Sequence, residues 1–239
     1  MSVKISALQK RNSILDPVTN TARKEYIQLK ESWKLKVTPV MEETLHMIDK
    51  DVTRTDHAAP FYNQNQNDLG WNENMQKLRN VLMTYAWCRD PEVGYVQGMG
   101  DLASLILMVN QGSESMSYWC FTHFMDRVKV NFSHDGRGMK RNLELLQDVI
   151  QTLDPGLAAH LKVTDSFHLF FSFRWILVCF RREFDIESVC ILWDALLSRH
   201  QTDDWLVFFA GGILLEHRDA IVRHLITFDE VFKVRFSQI

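Results

Sequence analysis

Two short stretches combine polar side chains in patterns suited to binding an anion or holding a water. In Ile48-Asp49-Lys50-Asp51-Val52-Thr53-Arg54-Thr55-Asp56, the residues Ile48, Asp51 and Arg54 recur every three positions and so share one face of a helix. Ile48 can anchor that face in a core and Asp51 can hold the following backbone or the guanidinium. Arg54 is left at the helix exit, where its planar fork can bridge two oxygens of an anion. The same spacing also suits an ordinary surface ion pair, worth only ~0–1 kcal/mol. In Gly94-Tyr95-Val96-Gln97-Gly98-Met99-Gly100-Asp101-Leu102, a long amide stands among glycines just ahead of an apolar run. The glycines expose Gln97 and let another backbone come close. Alternatively, Gln97 is a helix-start residue bonding to the free amides there.

Other catalytic signatures are missing: no G-x-S-x-G elbow, no H-E-x-x-H helix, no G-x-x-x-x-G-K-[ST] loop and no Rossmann fingerprint. His217 and His224 could share a helix face, but no carboxylate or cysteine completes a metal set around them. Gly136-Arg137-Gly138-Met139-Lys140 is similar to a phosphate cradle opening a helix. It lacks the required spacing and reads instead as a flexible loop ending in a helix start. Lys and Arg number 27 against 30 Asp and Glu, a net charge of -3. No field gathers a polyanion, so nucleic acid is disfavoured as the main ligand.

Helices must position these residues. The 239-residue chain, 46% apolar and 24% charged, is long enough to bury a core, and its 10 Gly and 5 Pro leave room for long helices. Residues 1–20 read as a polar tail ending in the turn-prone Asp16-Pro17. Apolar spacing then predicts a helix over 21–37, with Tyr26, Leu29 and Trp33 on one stripe that ends ahead of Pro39. A short helix follows over 40–51, then a polar connection over 53–70. Met75, Leu78, Val81, Leu82 and Tyr85 share the face of a helix that begins at Asn72 and stops near Arg89. Met99 to Val109 is apolar nearly all round, as for a helix buried on most sides. Further helices are expected over 115–128, 139–153, 167–181, 185–198 with Asp185 as N-cap, and 204–216. No segment alternates with period 2, so the chain reads as all-α. Cys88, Cys120, Cys179 and Cys190 lie in apolar surroundings and are taken as reduced core residues. No apolar stretch approaches the ~18 residues of a spanning helix, so no direct membrane insertion is expected.

Ile48-x-x-Asp51-x-x-Arg54 followed by Tyr95-x-Gln97-Gly98-Met99 resembles the two signature motifs of TBC-domain Rab GTPase-activating proteins. A third signature has its counterpart in Phe173-Arg174-Trp175, Phe180-Arg181-Arg182-Glu183-Phe184 and Leu192-Trp193-Asp194. The wording Asp51-Val52-x-Arg54-Thr55-Asp56 is similar to the Gyp7-like branch. The resemblance runs over residues 22–232 and implies an all-α, V-shaped two-lobed helical TBC domain within residues 21–239. By that resemblance Arg54 and Gln97 lie on the amino-terminal lobe beside the groove that holds the GTPase.

The implied activity is stimulation of GTP hydrolysis by a Rab-family small GTPase in vesicle trafficking. Arg54 is the arginine finger, worth ~10³–10⁵ in rate when supplied in trans. Gln97 positions the attacking water in place of the GTPase's own glutamine, and Asp51, Tyr95 and Gly98 support the pair. Arg174, Trp175 and Glu183 are structural, with Arg174 and Glu183 paired with each other or with neighbours, and Trp193 is core. The domain needs no cofactor of its own, since GTP and Mg2+ are carried by the partner GTPase. It is expected to be monomeric and cytoplasmic, reaching endomembranes through the partner or flanking segments. The alternative is a scaffold of the same fold that holds a GTPase without turning it over. Which Rab is served lies in surface complementarity spread over many residues. The family's opening Arg-x-x-x-Trp is not visible in residues 1–20, and the sequence ends soon after Phe228-Asp229-Glu230-Val231-Phe232, so the resemblance implies a domain shortened at both ends.

Overall fold

The computed structural model describes residues 20–68, 70–91, 93–198 and 202–224. The expected polar tail, apart from Asn20, and the Phe228–Phe232 motif lie outside the described residues. Those that are described form helices and no strand, as the missing period-2 pattern predicts. The chain divides into two compact units, residues 1–123 and 124–239.

The first unit holds α1 (residues 20–34), α2 (Pro39–Arg54), α3 (Pro60–Asn63), α4 (Glu73–Thr84), α5 (Met99–Val109) and the start of α6 (Glu114–Val128). Tyr26 and Trp33 of α1 are buried as their spacing requires. The Tyr26 hydroxyl donates to Glu114 Oε1 at 2.6 Å and the Trp33 indole to Thr84 Oγ1 at 3.0 Å. α1 stops at residue 34, short of the expected 37, and α2 starts at Pro39 with Thr38 as its N-cap. The expected polar connection over 53–70 contains α3, which opens at Pro60. Asn72 fastens it: its Nδ2 donates to the Phe61 and Gln64 carbonyls while its Oδ1 caps α4 at Met75 N, 2.9 Å away. α4 continues through a π-helical turn, Tyr85–Arg89, and buries Met75, Leu78, Val81, Leu82 and Tyr85. α2 packs on α4 and α5, with Ile48 and Val52 fully buried. α5 is buried from Met99 to Leu107, so its first turns are fixed in the core.

The second unit continues with a 3-10 turn at Lys129–Phe132, α7 (Arg137–Leu153), α8 (Pro155–Val163), α9 (Phe173–Leu177), α10 (Ile186–Ser198), α11 (Trp205–Glu216) and α12 (Arg218–His224). α7 packs on α8 and α11. Asp185 caps α10, accepting from Ser188 N at 3.0 Å. The continuous helix expected over 167–181 does not form. Leu169, Cys179 and Phe180 hold φ of 55°, 49° and 59°, which cuts the run to a 3-10 turn, Phe170–Ser172, and the short α9. Tertiary packing overrides the helical period there: Trp175 and Phe180 are buried against each other, and the Trp193 indole donates to the Cys179 carbonyl at 2.9 Å. Trp193 is core, and Arg174 pairs with Glu183 at 2.8 Å, both as expected. α8 and α12 are additions to the expected set; α8 opens at Pro155 under an Asp154 cap.

The cysteines need a correction. All four are free, but only Cys179 is buried; Cys120 is exposed, and Cys88 and Cys190 are half-buried. Apolar neighbours in sequence point to other faces of a helix and leave a cysteine between them outside.

Candidate functional site

Arg54 is the last residue of α2, a helix anchored in the core by Ile48, two turns earlier and fully buried. Its side chain is 55% exposed, while that of Asp51, one turn earlier, is 11% exposed. Arg54 Nη2 donates to Asp51 Oδ1, and more than half of the arginine side chain remains open to solvent. A surface pair of this kind alone would mean little. Asp51, however, has a second partner from a distant part of the chain. Tyr95, 8% exposed, donates its hydroxyl to Asp51 Oδ2 at 2.6 Å. Burial first, and then the bond to Asp51, push the Tyr95 phenol well above the usual tyrosine range.

The segment that carries Tyr95 leads directly into α5. Gly98 is the N-cap at φ 104°, a conformation that a side chain would strain. A Cβ on Gly100 would stand 3.4 Å from the Tyr95 hydroxyl and 3.5 Å from Thr55 Oγ1, so α5 reaches van der Waals distance of the Asp51 bonds. Between these fixed points Gln97 is exposed and hydrogen-bonded to no described residue, the α5 amides included. The two chemistry-bearing stretches are therefore joined, with the Asp51 carboxylate as the joint. Asp51, Tyr95, Gly98, Arg54 and Gln97 all belong to the first unit.

Sequence reasoning missed one polar contact beside these residues, between Asp56 and Ser104. Ser104 Oγ donates to Asp56 Oδ2 at 2.6 Å across a separation of 48 positions. The available signal was an aspartate just past the helix end, a residue type that tolerates the left-handed turn found there, φ 49°.

Cavities occur elsewhere in both units. In the second unit, one of about 600 Å³ is lined by Arg127, Asn131, Arg141 and Asp204 among others, and in the first, one of about 510 Å³ is lined by Arg23, Lys30, Lys77 and Glu114. Neither is lined by Arg54 or Gln97. Among the described residues no three His, Cys, Asp or Glu side chains are grouped as metal ligands would be, and no helix is long and apolar enough to cross a membrane. What the Arg54 site can offer is a cationic fork, an uncommitted amide and a rigid mount for both.

Residues 6–222 match the Rab-GTPase-TBC domain family. The chain is 34% identical to GTPase-activating protein GYP7 of Candida glabrata over 87% of its length, and 35% identical to gyp7 of Schizosaccharomyces pombe over 88%. It is 36% identical to human TBC1 domain family member 17 over 87% of its length. It spans 30–32% of the length of these relatives, about a third. Among solved structures, the Ypt/Rab-GAP domain of Gyp1p superposes with a TM-score of 0.77 at 22% identity, covering 89% of this chain and 72% of that one. The Chlamydomonas flagellar RabGAP TBC domain gives 0.67 at 19%, covering 88% and 68%. Both likenesses establish the all-α fold.

Proposed function

The chain belongs to the Rab-GTPase-TBC domain family, and from that premise we propose that it accelerates GTP hydrolysis by a Rab-type small GTPase, with Arg54 and Gln97 delivered into the partner's active site. The observation that carries this reading is the Asp51 carboxylate, which receives the Arg54 guanidinium and the Tyr95 hydroxyl together. It couples an outward arginine to the segment that bears an outward glutamine.

GTP hydrolysis asks for little covalent chemistry from a protein. It asks for charge to be neutralised on the transferring phosphoryl group and for a water to be held in line. Arg54 supplies the first, as a preorganised cation meeting charge that develops in the transition state. Its exposed fork leaves donors for phosphate oxygens while Asp51 holds one nitrogen, so aim and availability do not compete. Gln97 supplies the second, positioning the water in place of the GTPase's own glutamine. GTP and its Mg2+ belong to the partner. The Asp51-to-Asp56 wording and the GYP7 relatives support placement in the Gyp7-like branch. The domain acts as a monomer from the cytoplasm, meeting endomembranes through its partner.

The test is single-turnover hydrolysis by a panel of GTP-loaded Rab GTPases with and without this domain. At least one member is expected to accelerate by roughly 10³–10⁵. Binding without acceleration of any member would refute the catalytic reading and leave a scaffold.

A further inference from the structure

The chain leaving α2 is fastened a second time, by residues outside the motif pair. Thr55 turns extended at φ -75° and ψ 123°, and Asp56 then adopts φ 49°. A residue other than glycine holds that left-handed conformation at a cost unless its surroundings fix it. Ser104, fully buried on α5, does so. Its hydroxyl donates to Asp56 Oδ2 at 2.6 Å, the length of a charge-assisted bond. The Ser104 carbonyl accepts from the buried Tyr62 hydroxyl at 3.0 Å, and the Asp56 carbonyl accepts from Ala59 N at 2.8 Å. The link between α2 and α3 is thereby pinned to one turn of α5. Arg54 thus lies between two long-range bonds, Asp51 to Tyr95 before it and Asp56 to Ser104 after it. Both run to the stretch of chain that carries Gln97. A single tie leaves rotation about itself, whereas two ties on either side of Arg54 remove it.

We propose that Asp56 and Ser104 are positioning residues for GTPase activation, their bond setting the direction in which Arg54 leaves α2 relative to Gln97. The proposal rests on Arg54 being the residue delivered to the partner. Neither Asp56 nor Ser104 touches the nucleotide, so their loss appears in the rate at saturation and not in affinity. A misplacement of about 1 Å is enough to lower a rate by on the order of 10²-fold.

The experiment titrates the domain into GTP-loaded Rab GTPases under single-turnover conditions and separates the saturated rate from the half-saturating concentration. Asp56→Gly keeps the left-handed turn without steric cost and removes the acceptor. It is expected to melt as a folded protein and to lose roughly ten- to a hundredfold of the saturated rate, with half-saturation within about threefold of normal. Asp56→Asn, which keeps an acceptor and tolerates the turn, restores most of that rate. Wild-type saturated rate in Asp56→Gly alongside a dead Arg54→Ala would overturn the tie and leave the finger reading standing. Full rate in Arg54→Ala would overturn both. Independently of any GTPase, thermal unfolding of Asp56→Gly, Ser104→Ala and the double variant should show losses that do not add; simple additivity would dissolve the pair.

Discussion

Tyr95→Phe removes one hydroxyl from the joint between the two motifs. The ring is buried and stays in place, so the change is confined to the O–H that Asp51 Oδ2 accepts at 2.6 Å. A hydrogen bond to a charged group contributes ~1.5–3 kcal/mol. Asp51 is itself 7% exposed and cannot replace the hydroxyl fully with water. The expected loss is therefore the whole of that range, a fall in melting temperature of roughly 3–12 °C for a chain of this size. The pH behaviour follows from the sign of the phenol's shift. Its folded value lies above the ordinary one near ~10, so the contribution is complete below that pH and is lost only as pH rises through the folded value. Between pH 6 and 9 the cost of Tyr95→Phe should be flat. Thermal unfolding of Tyr95→Phe, Asp51→Ala and the double variant reads the coupling directly, and about 1.5–3 kcal/mol is expected. Additivity of the two losses to within ~0.5 kcal/mol would refute the joint, whatever the activity data say. In the stimulated-hydrolysis assay the same substitution should lower the saturated rate and spare the affinity.

Arg54→Ala should lower the saturated stimulated rate by ~10³–10⁵ while ground-state binding of the GTPase holds, and Arg54→Lys should recover little because an ammonium lacks the planar fork; titration of either variant checks this. In the second unit, Asp154 caps α8 at Leu157 N, 2.9 Å away, and pairs with Arg218 at 2.7 Å. These bonds, the backbone one first, hold its carboxyl below the usual range. Its contribution is complete above the unfolded value near ~3.9 and is lost as pH falls through the folded value. Asp154→Ala should cost ~0.5–2 kcal/mol at neutral pH, and its denaturant midpoint should converge on that of the parent as pH drops below about 4.

What could be read from the sequence depended on whether the deciding interactions were local. The α5 bounds, Met99–Val109, coincide with the apolar run, and the five spaced apolar residues of α4 and its π turn are all buried. The run over 167–181 looked equally helical. It breaks because three residues with no local turn signal take left-handed conformations to seat Trp175 and Phe180, a decision made by α10 and the surrounding core. At the site, Arg54 and Gln97 were marked by residue type and spacing, while the left-handed turn at Gly98, φ 104°, was not foreseen from its place among the glycines. That Asp51 would accept from Tyr95 was not legible, because 44 positions separate them and either residue alone fits a surface role. Ser104 carried less signal still, as a hydroxyl inside an apolar helix with its partner on another segment.

In the two-residue mechanism this chain supplies both the charge and the water-positioning amide in trans. The most direct test is stimulated single-turnover hydrolysis for four pairings: the domain with Gln97 or Gln97→Ala, against a responsive Rab with its own switch glutamine intact or changed to leucine. If Gln97 positions the attacking water, the leucine variant still responds substantially to the unaltered domain, and Gln97→Ala abolishes most of the response with either Rab. If the GTPase's own glutamine does that work, the leucine variant is inert and Gln97→Ala is nearly silent. That second pattern would contradict the two-residue mechanism even with Arg54 intact in its role.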